Sequence, residues 1–291
     1  MYCFEKLNNS NMIYFKELNK YRNKFNNLNK DFFEKYKKAN FIKRFILQKQ
    51  ICLLKVKSSF VGYMWITPKN SQNFVINSLN VIEFQVINNF IEFLMNQFKS
   101  GSTFSYLCEK NNYNFKILES LGFKPIERTL YLKLLVDKAN KYVFDEDVEF
   151  EILKRGKQEE IRRTIQNEVF QNIDRLPLSI NDIFDDEMQK YYFDKGAVFI
   201  KKDNVYLGYG QIIIEDGHPT IVNLGILKEY RGQKYGKKML EYLINIAICE
   251  GYSEVRLKVA SDNNIGLNLY LRHGFVIDNE SCMWEYKINK I

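Results

Sequence analysis

Residues 229–243 read EYRGQKYGKKMLEYL: an arginine, glycines at 232 and 236, lysines at 234, 237 and 238, and then an amphipathic helix. A short apolar strand, NLGIL (223–227), ends just ahead of this stretch. Glycine lets backbone N–H groups come close to a ligand. The free N–H groups of a helix start, its dipole and Arg231 together suit an anion. The same residues also make an ordinary basic helix start, and on the loop alone the two readings stand level. The surrounding sequence decides between them.

Downstream, Met239, Leu240, Leu243, Ile246 and Ala247 share one helix face. SEVRLKVA (253–260) alternates as a strand, and NIGLNLYLRHG (264–274) is a short helix ended by glycine. FVIDNESCMWEYKI (275–288) reads as two strands. Upstream, AVFIKKDNVYLGYGQIIIEDGHPTIVNLGIL (197–227) reads as three strands joined at DN and DGHP turns. VEFEILKR (148–155) is a strand, while QEEIRRTIQNEVFQN (158–172) and SINDIFDDEMQKYYFDKG (179–196) have helical patterns. The order is β-α-α-β-β-β-α-β-α-β-β, which places the chain in the α/β (α+β) class.

The N-terminal half repeats this order. FVGYMWI (60–66) parallels YLGYGQI (206–212), and INNFIEFLMNQF (87–98) parallels the helix after the loop. NNYNFKILESLGF (111–123) parallels NNIGLNLYLRHGF (263–275). Three matches in one order indicate a tandem duplication. The sequence suggests a first domain at 1–136, a charged linker at 137–147 and a second domain at 148–291.

The strand, RGQKYG, the amphipathic helix, a strand and then N-x-x-G-x-x-L-Y-x-x-x-G-F together resemble the GNAT superfamily of acyl-CoA N-acyltransferases. The second motif is carried by Asn263, Gly266, Leu269, Tyr270, Gly274 and Phe275. The family's Q/R-x-x-G-x-G/A loop corresponds to Arg231-x-x-Lys234-x-Gly236, with a lysine in place of the first glycine. The likeness is strongest over 197–291 and weaker, though ordered, over 50–135. It implies two tandem GNAT-like domains, each a central mixed, mostly antiparallel sheet flanked by helices.

The resemblance further implies acetyl-CoA as co-substrate. Its pyrophosphate would meet the N–H groups of Gly232, Gln233, Lys234, Tyr235, Gly236 and Lys237, with Arg231 nearby. Pantetheine would lie along Leu224, Gly225, Ile226 and Leu227 almost as an added strand, with the Ile226 N–H as oxyanion donor. Asn263 would contact the cofactor near the opening between strands, and Tyr270 would protonate the leaving thiolate. Elsewhere a tyrosine at such spacing is a packed aromatic; within this motif the acid is the favoured reading. PTIVNLGIL (219–227) holds no carboxylate, so no base is assigned among Asp174, Asp185, Asp186, Glu215, Asp216 and a water chain. His218 and His273 read as structural.

The first repeat departs at both motifs. EFQVINNFIEF (83–93) has no glycine, and Leu118 stands in the tyrosine's place. Without these, that repeat loses acetyl-CoA chemistry and is left to support the second domain.

Composition narrows little. The net charge of +8 is spread along the chain, and the five cysteines form no CxxC pair. No metal is expected. MYCFEKLNNS lacks the apolar core of a signal peptide, and no run approaches ~18 apolar residues. A cytoplasmic monomer acting on a small-molecule or peptide amine is expected, with neither membrane nor nucleic acid as partner. The alternative is a non-catalytic acyl-CoA-binding or partner-binding protein.

Overall fold

The computed structural model describes residues 2–83, 86–137, 141–144, 147–171 and 176–289. They form two compact units, one of Met1–Thr129, Ala260–Asp262 and Asn279–Ile291, the other of Leu130–Val259 and Asn263–Asp278. The sequence suggests one cut at 137–147; the units are instead interleaved at their last strands. Residues 138–140 and 145–146 of that segment lie outside the described residues.

The first unit runs β1 (Tyr2–Lys6), α1 (Met12–Lys20), a single 3-10 turn (Arg22–Lys24), α2 (Phe32–Lys38) and α3 (Phe41–Lys49). It continues with β2 (Ile51–Val56), β3 (Ser59–Pro68), β4 (Asn73–Val81), α4 (Asn88–Gln97), β5 (Thr103–Glu109) and α5 (Asn114–Ser120). β6 (Lys124–Leu135) follows. The second half has β7 (Glu149–Ile152), α6 (Glu159–Val169), α7 (Ile180–Glu187), β8 (Tyr192–Lys202), β9 (Val205–Glu215) and β10 (His218–Ile226). Then come α8 (Tyr235–Cys249), β11 (Glu254–Ala260), α9 (Asn264–Arg272) and β12 (Val276–Lys287). The element order of the first half is repeated in the second, with one extra helix in the first.

In the first unit β1, β2, β3 and β4 pair antiparallel, β4 pairs β5 in parallel, and β5 pairs residues 281–287 of β12. In the second, the order is β6-β11-β10-β9-β8-β7. Each sheet is therefore finished by the strand that ends the other repeat. The reason lies in the side chains. Cys282 and Trp284 alternate onto one face of β12 and are fully buried in the first core, with Trp284 edge-on to Phe115. Leu130 and Leu132 of β6 enter the core of the second.

Two element assignments change. FVIDNESCMWEYKI forms one strand, β12, with the unit division between Asp278 and Asn279. The helix expected over 179–196 ends at Glu187, and the aromatic run from Tyr192 opens β8. Gly196 sits in a bulge of β8, where a Cβ would lie 2.7 Å from Ile212 Cβ. The two hairpin turns are where the sequence puts them. Asp203, Asn204, Asp216 and Gly217 all take positive φ, as two-residue turns between twisted strands require.

The face of α8 is deeper than expected. Met239, Leu240, Leu243, Ile244, Ala247 and Ile248 are buried, and Ile246 is only partly so.

Candidate active site

β10 pairs with β11 only at Thr220↔Arg256 and Ile221↔Leu257. Beyond that point its β11-facing edge is unpaired. On the other side it stays registered with β9 through Ile226, with a bulge between Val222 and Gly225 where Asn223 takes φ +53°. Leu227 N–H donates to Leu207 C=O at 2.9 Å, so the preceding residue, Ile226, turns its N–H and C=O away from β9. The Ile226 N–H therefore points into the notch. Its C=O accepts from Arg231 Nε at 2.8 Å, and Arg231 Nη2 reaches Val169 C=O at 3.3 Å. Arg231 thus straps the end of β10 to the end of α6.

Gly225 has a packing role. A Cβ there would stand 2.0 Å from Val169 Cγ1. Only a bare backbone lets α6 lie so close to the strand.

In the loop, Gly232 has φ +80° and Lys234 has φ 67°, ψ 5°. The site where the sequence pattern asks for glycine is left-handed, and the lysine adopts it. α8 starts with no side-chain cap and no acid in its first turn. Its first internal bond runs from Lys238 N–H to Lys234 C=O, leaving the N–H groups of Tyr235, Gly236 and Lys237 without helical acceptors. A Cβ on Gly236 would have only Ile226 Cγ1 near it, at 3.8 Å, so the space above the loop is open to a ligand. The Tyr235 side chain is buried in the core, leaving its backbone for binding; Gln233 is exposed. Lys237 pairs with Glu241 at 3.6 Å, and Lys238 with Asp147.

Asn263 caps α9: its Oδ1 accepts from Gly266 N–H at 3.0 Å. Tyr270 is half-buried, its ring 6.0 Å from Phe275, and among the described residues its hydroxyl has no hydrogen-bond partner. Burial pushes the phenol above its ordinary pKa. His273 is tied to Leu269 C=O at 2.7 Å and Glu241 at 3.2 Å, a structural placement.

A second feature of this unit was not legible in the sequence. Arg162, 1% exposed, bonds Asp186 and, at 3.1 Å, Gln211. Gln211 in turn bonds Asp186 at 3.2 Å and accepts from Asn223 at 3.1 Å, while Tyr191 donates to Asp186 at 2.8 Å. Burial alone would raise the Asp186 pKa, but Arg162, Tyr191 and Gln211 hold it below the usual range. The Tyr191 phenol, partly buried and bonded to that carboxylate, is pushed up to about 12. Beside this network lies a cavity of about 340 Å³ bounded by α6, α7 and the β10 bulge. Of the carboxylates considered from sequence, Asp185 and Asp186 line it. Glu215 instead pairs with Lys258 at 2.8 Å, Asp216 forms a turn, and Asp174 lies outside the described residues. No local motif carries Arg162, Gln211 and Asn223; the signal in sequence is the i, i+4 pair Arg162 and Gln166 on an amphipathic helix.

The first unit has the matching notch and fills it. β4 and β5 pair only at residues 73–75 and 103–105. Further along, the Asn29 amide takes both the N–H (3.2 Å) and the C=O (2.8 Å) of Leu79. The Asn26 amide bridges Leu107 C=O (2.8 Å) and Glu109 N–H (3.0 Å) on β5. Two side-chain amides thus supply the hydrogen bonds that the diverging strands cannot give each other. Leu118, where the second repeat has Tyr270, is fully buried.

Among the described residues no cluster of His, Cys, Asp or Glu could hold a metal, and no helix is long and apolar enough to cross a membrane.

The family model for acetyltransferase (GNAT) matches residues 164–275. By sequence, no curated protein matches the chain. Among solved structures, a GCN5-related N-acetyltransferase from Sphaerobacter thermophilus has a TM-score of 0.65 at 12% identity, covering 99% of this chain and 96% of its own. A tandem GNAT protein from the clavulanic acid biosynthesis pathway has a TM-score of 0.52 at 12% identity, with 83% of each chain covered. A GNAT-family acetyltransferase from Colwellia psychrerythraea has a TM-score of 0.53 at 14% identity, with 81% of this chain and 85% of that one covered. The fold is that of tandem GNAT proteins.

Proposed function

We propose, from a GNAT acetyltransferase domain in the second half of the chain, that the protein moves an acetyl group from acetyl-CoA directly to a primary amine. The observation that carries this reading is the pairing of an unpaired β10 edge with an uncapped helix start directly behind it. Backbone N–H groups from Gly232 to Lys237 would receive the pyrophosphate, with Lys234, Lys237 and Lys238 adding positive charge. Residues 224–227 would pair with the pantetheine amides. The Ile226 N–H, directed into the notch, would stabilise charge on the acetyl oxygen.

The amine nitrogen forms its bond to the acetyl carbon as the C–S bond breaks, and the amine's proton leaves to solvent. The departing thiolate takes a proton from Tyr270, whose hydroxyl has no hydrogen-bond partner among the described residues, and solvent returns a proton to the phenolate. A phenol is protonated at neutral pH, and burial raises its pKa further. Direct transfer is preferred to an acyl-enzyme because no cysteine lies in either motif; Cys249 ends α8.

One observation favours a second reading, an acyl-CoA-binding protein without transfer. No carboxylate lies on β10, and Asp186 is fully engaged. Titration of acetyl-CoA followed by calorimetry, beside Gly236→Asp and Arg231→Ala, tests binding. A saturable signal lost in Gly236→Asp supports the cradle, because aspartate adds a negative charge where the pyrophosphate would sit; no binding by the folded wild type removes both readings. Thiol release on adding amines then separates transfer from binding alone.

A further inference from the structure

The cavity beside α7 is acidic on a chain whose net charge is +8. Among the described residues, Asp182, Asp185 and Asp186 face one cation, Arg162, which gives that part of the lining a formal −2. The three carboxylates are not equivalent. Asp186 is occupied by Arg162, Gln211 and Tyr191. One oxygen of Asp182 closes the capping box with Ser179, and the other has no partner among the described residues. Asp185 has no ion pair or side-chain partner among the described residues.

A second, independent feature lies in the same cavity. Gln166 is 1% exposed and lines it, yet its amide makes no hydrogen bond among the described residues, and Nε2 is buried without a partner. An unbonded amide in a protein interior is costly unless a ligand or water answers it. Asn223 lines the cavity as well and is the bulge residue at which the unpaired edge of β10 begins. The cavity therefore adjoins the strand edge assigned above to the acetyl group.

Resting on the acetyltransferase reading, we infer that this cavity is the acceptor site and that the acceptor is a polycationic amine. One amine reaches the β10 edge past Asn223. A second ammonium sits against Asp185 and the free oxygen of Asp182, and the Gln166 Nε2 N–H donates to a hydroxyl or an uncharged amine nitrogen between the two. A monoamine would leave the outer carboxylates unanswered, and an amino acid would bring its carboxylate against them. Linear polyamines and aminated sugars share this chemistry.

The test is calorimetric binding to the full chain without acetyl-CoA, using spermidine, tobramycin and propylamine as probes. At least one of the first two should bind ~10-fold or more tightly than propylamine, and which one does identifies the source of the ammonium groups. Asp185→Asn, at a carboxylate with no partner among the described residues, should weaken that binding ~5-fold or more, and added salt should weaken it further. Ser179→Ala breaks the α7 cap without changing the cavity's charge and should leave binding intact, so loss through misfolding is recognised. Equal affinity for all three probes, no binding by any, or an unaffected Asp185→Asn would overturn the inference. Acetyl-CoA is absent from these titrations, so failure here leaves the cofactor experiment to stand or fall by itself.

Discussion

At the scale of single residues, Tyr270 and Lys234 make opposite demands. Burial raises the Tyr270 pKa further above neutrality, and among the described residues its hydroxyl has no hydrogen-bond partner. Tyr270→Phe should lower kcat by about 10²-fold while acetyl-CoA affinity stays within about twofold, since only the proton is lost. The sign of the pH effect follows from the raised pKa: the acid form is fully present at neutral pH, so any loss of activity from Tyr270 ionisation lies on the alkaline side, above the ordinary phenol value of 10.0. A rate profile in which Tyr270→Phe matches wild type across pH would take Tyr270 out of the chemistry. Lys234 illustrates a conformational cost. At φ 67° its Cβ crowds the following carbonyl, a strain of about 1 kcal/mol that glycine does not carry. Lys234→Gly should therefore raise Tm by about 2–4 °C, less whatever entropy the freer unfolded chain regains. The motif spacing already marked this position as one for glycine; the backbone angle shows why, and why a lysine is tolerated.

At the scale of elements, the two notches share a geometry and differ in what fills them. In the first unit Asn29 answers both backbone groups of Leu79 and also accepts from the Tyr106 hydroxyl at 2.9 Å, all of them buried. Asn29→Ala leaves these groups unpaired, and each such group costs about 1–3 kcal/mol. The first unit should lose about 3–5 kcal/mol in denaturant unfolding. Asn29→Asp, which keeps the acceptor and loses the donor, should fall between. An unchanged midpoint in Asn29→Ala would mean that the amide contributes nothing to holding the strands. The sequence made the loss of glycines and tyrosine in this repeat legible, because those residues sit in local motifs. It did not reveal the asparagine plug, because Asn26 and Asn29 meet β5 and β4 at sequence separations of 81 and 50, and asparagine in a polar loop otherwise reads as a turn former. The Arg162–Asp186–Gln211 network escaped for the same reason: α6, α7 and β9 are each readable alone, but their convergence is a property of the tertiary fold. Periodicity showed α8 and the hairpins because both depend on neighbours in sequence.

At the scale of the whole molecule, the duplication does not yield two self-contained halves. The first core includes Cys282, Trp284 and Ile288 from the end of the chain, all of them fully buried. At about 1.5–3 kcal/mol for each fully buried apolar side chain, these three supply roughly 4–9 kcal/mol, comparable to the net stability of a domain. The repeat offers a substitute: β6 corresponds to β12, with Leu130 and Leu132 at the places of Cys282 and Trp284. In a fragment of residues 1–136, β6 can fold back beside β5, but a leucine in the space shaped for Trp284 against Phe115 leaves a void. That fragment should therefore unfold broadly and at much lower denaturant than the first unit of the full chain. Residues 1–129 joined through a Gly/Ser linker of about 15 residues to 276–291 restore the tryptophan and should unfold cooperatively near the native midpoint. Equal stability of the two fragments would show that β6 replaces β12 without penalty, and that the strand exchange carries no specificity. A clear gap would mean that the side chains of β12, and not the repeat's shared backbone pattern, decide which strand completes which sheet.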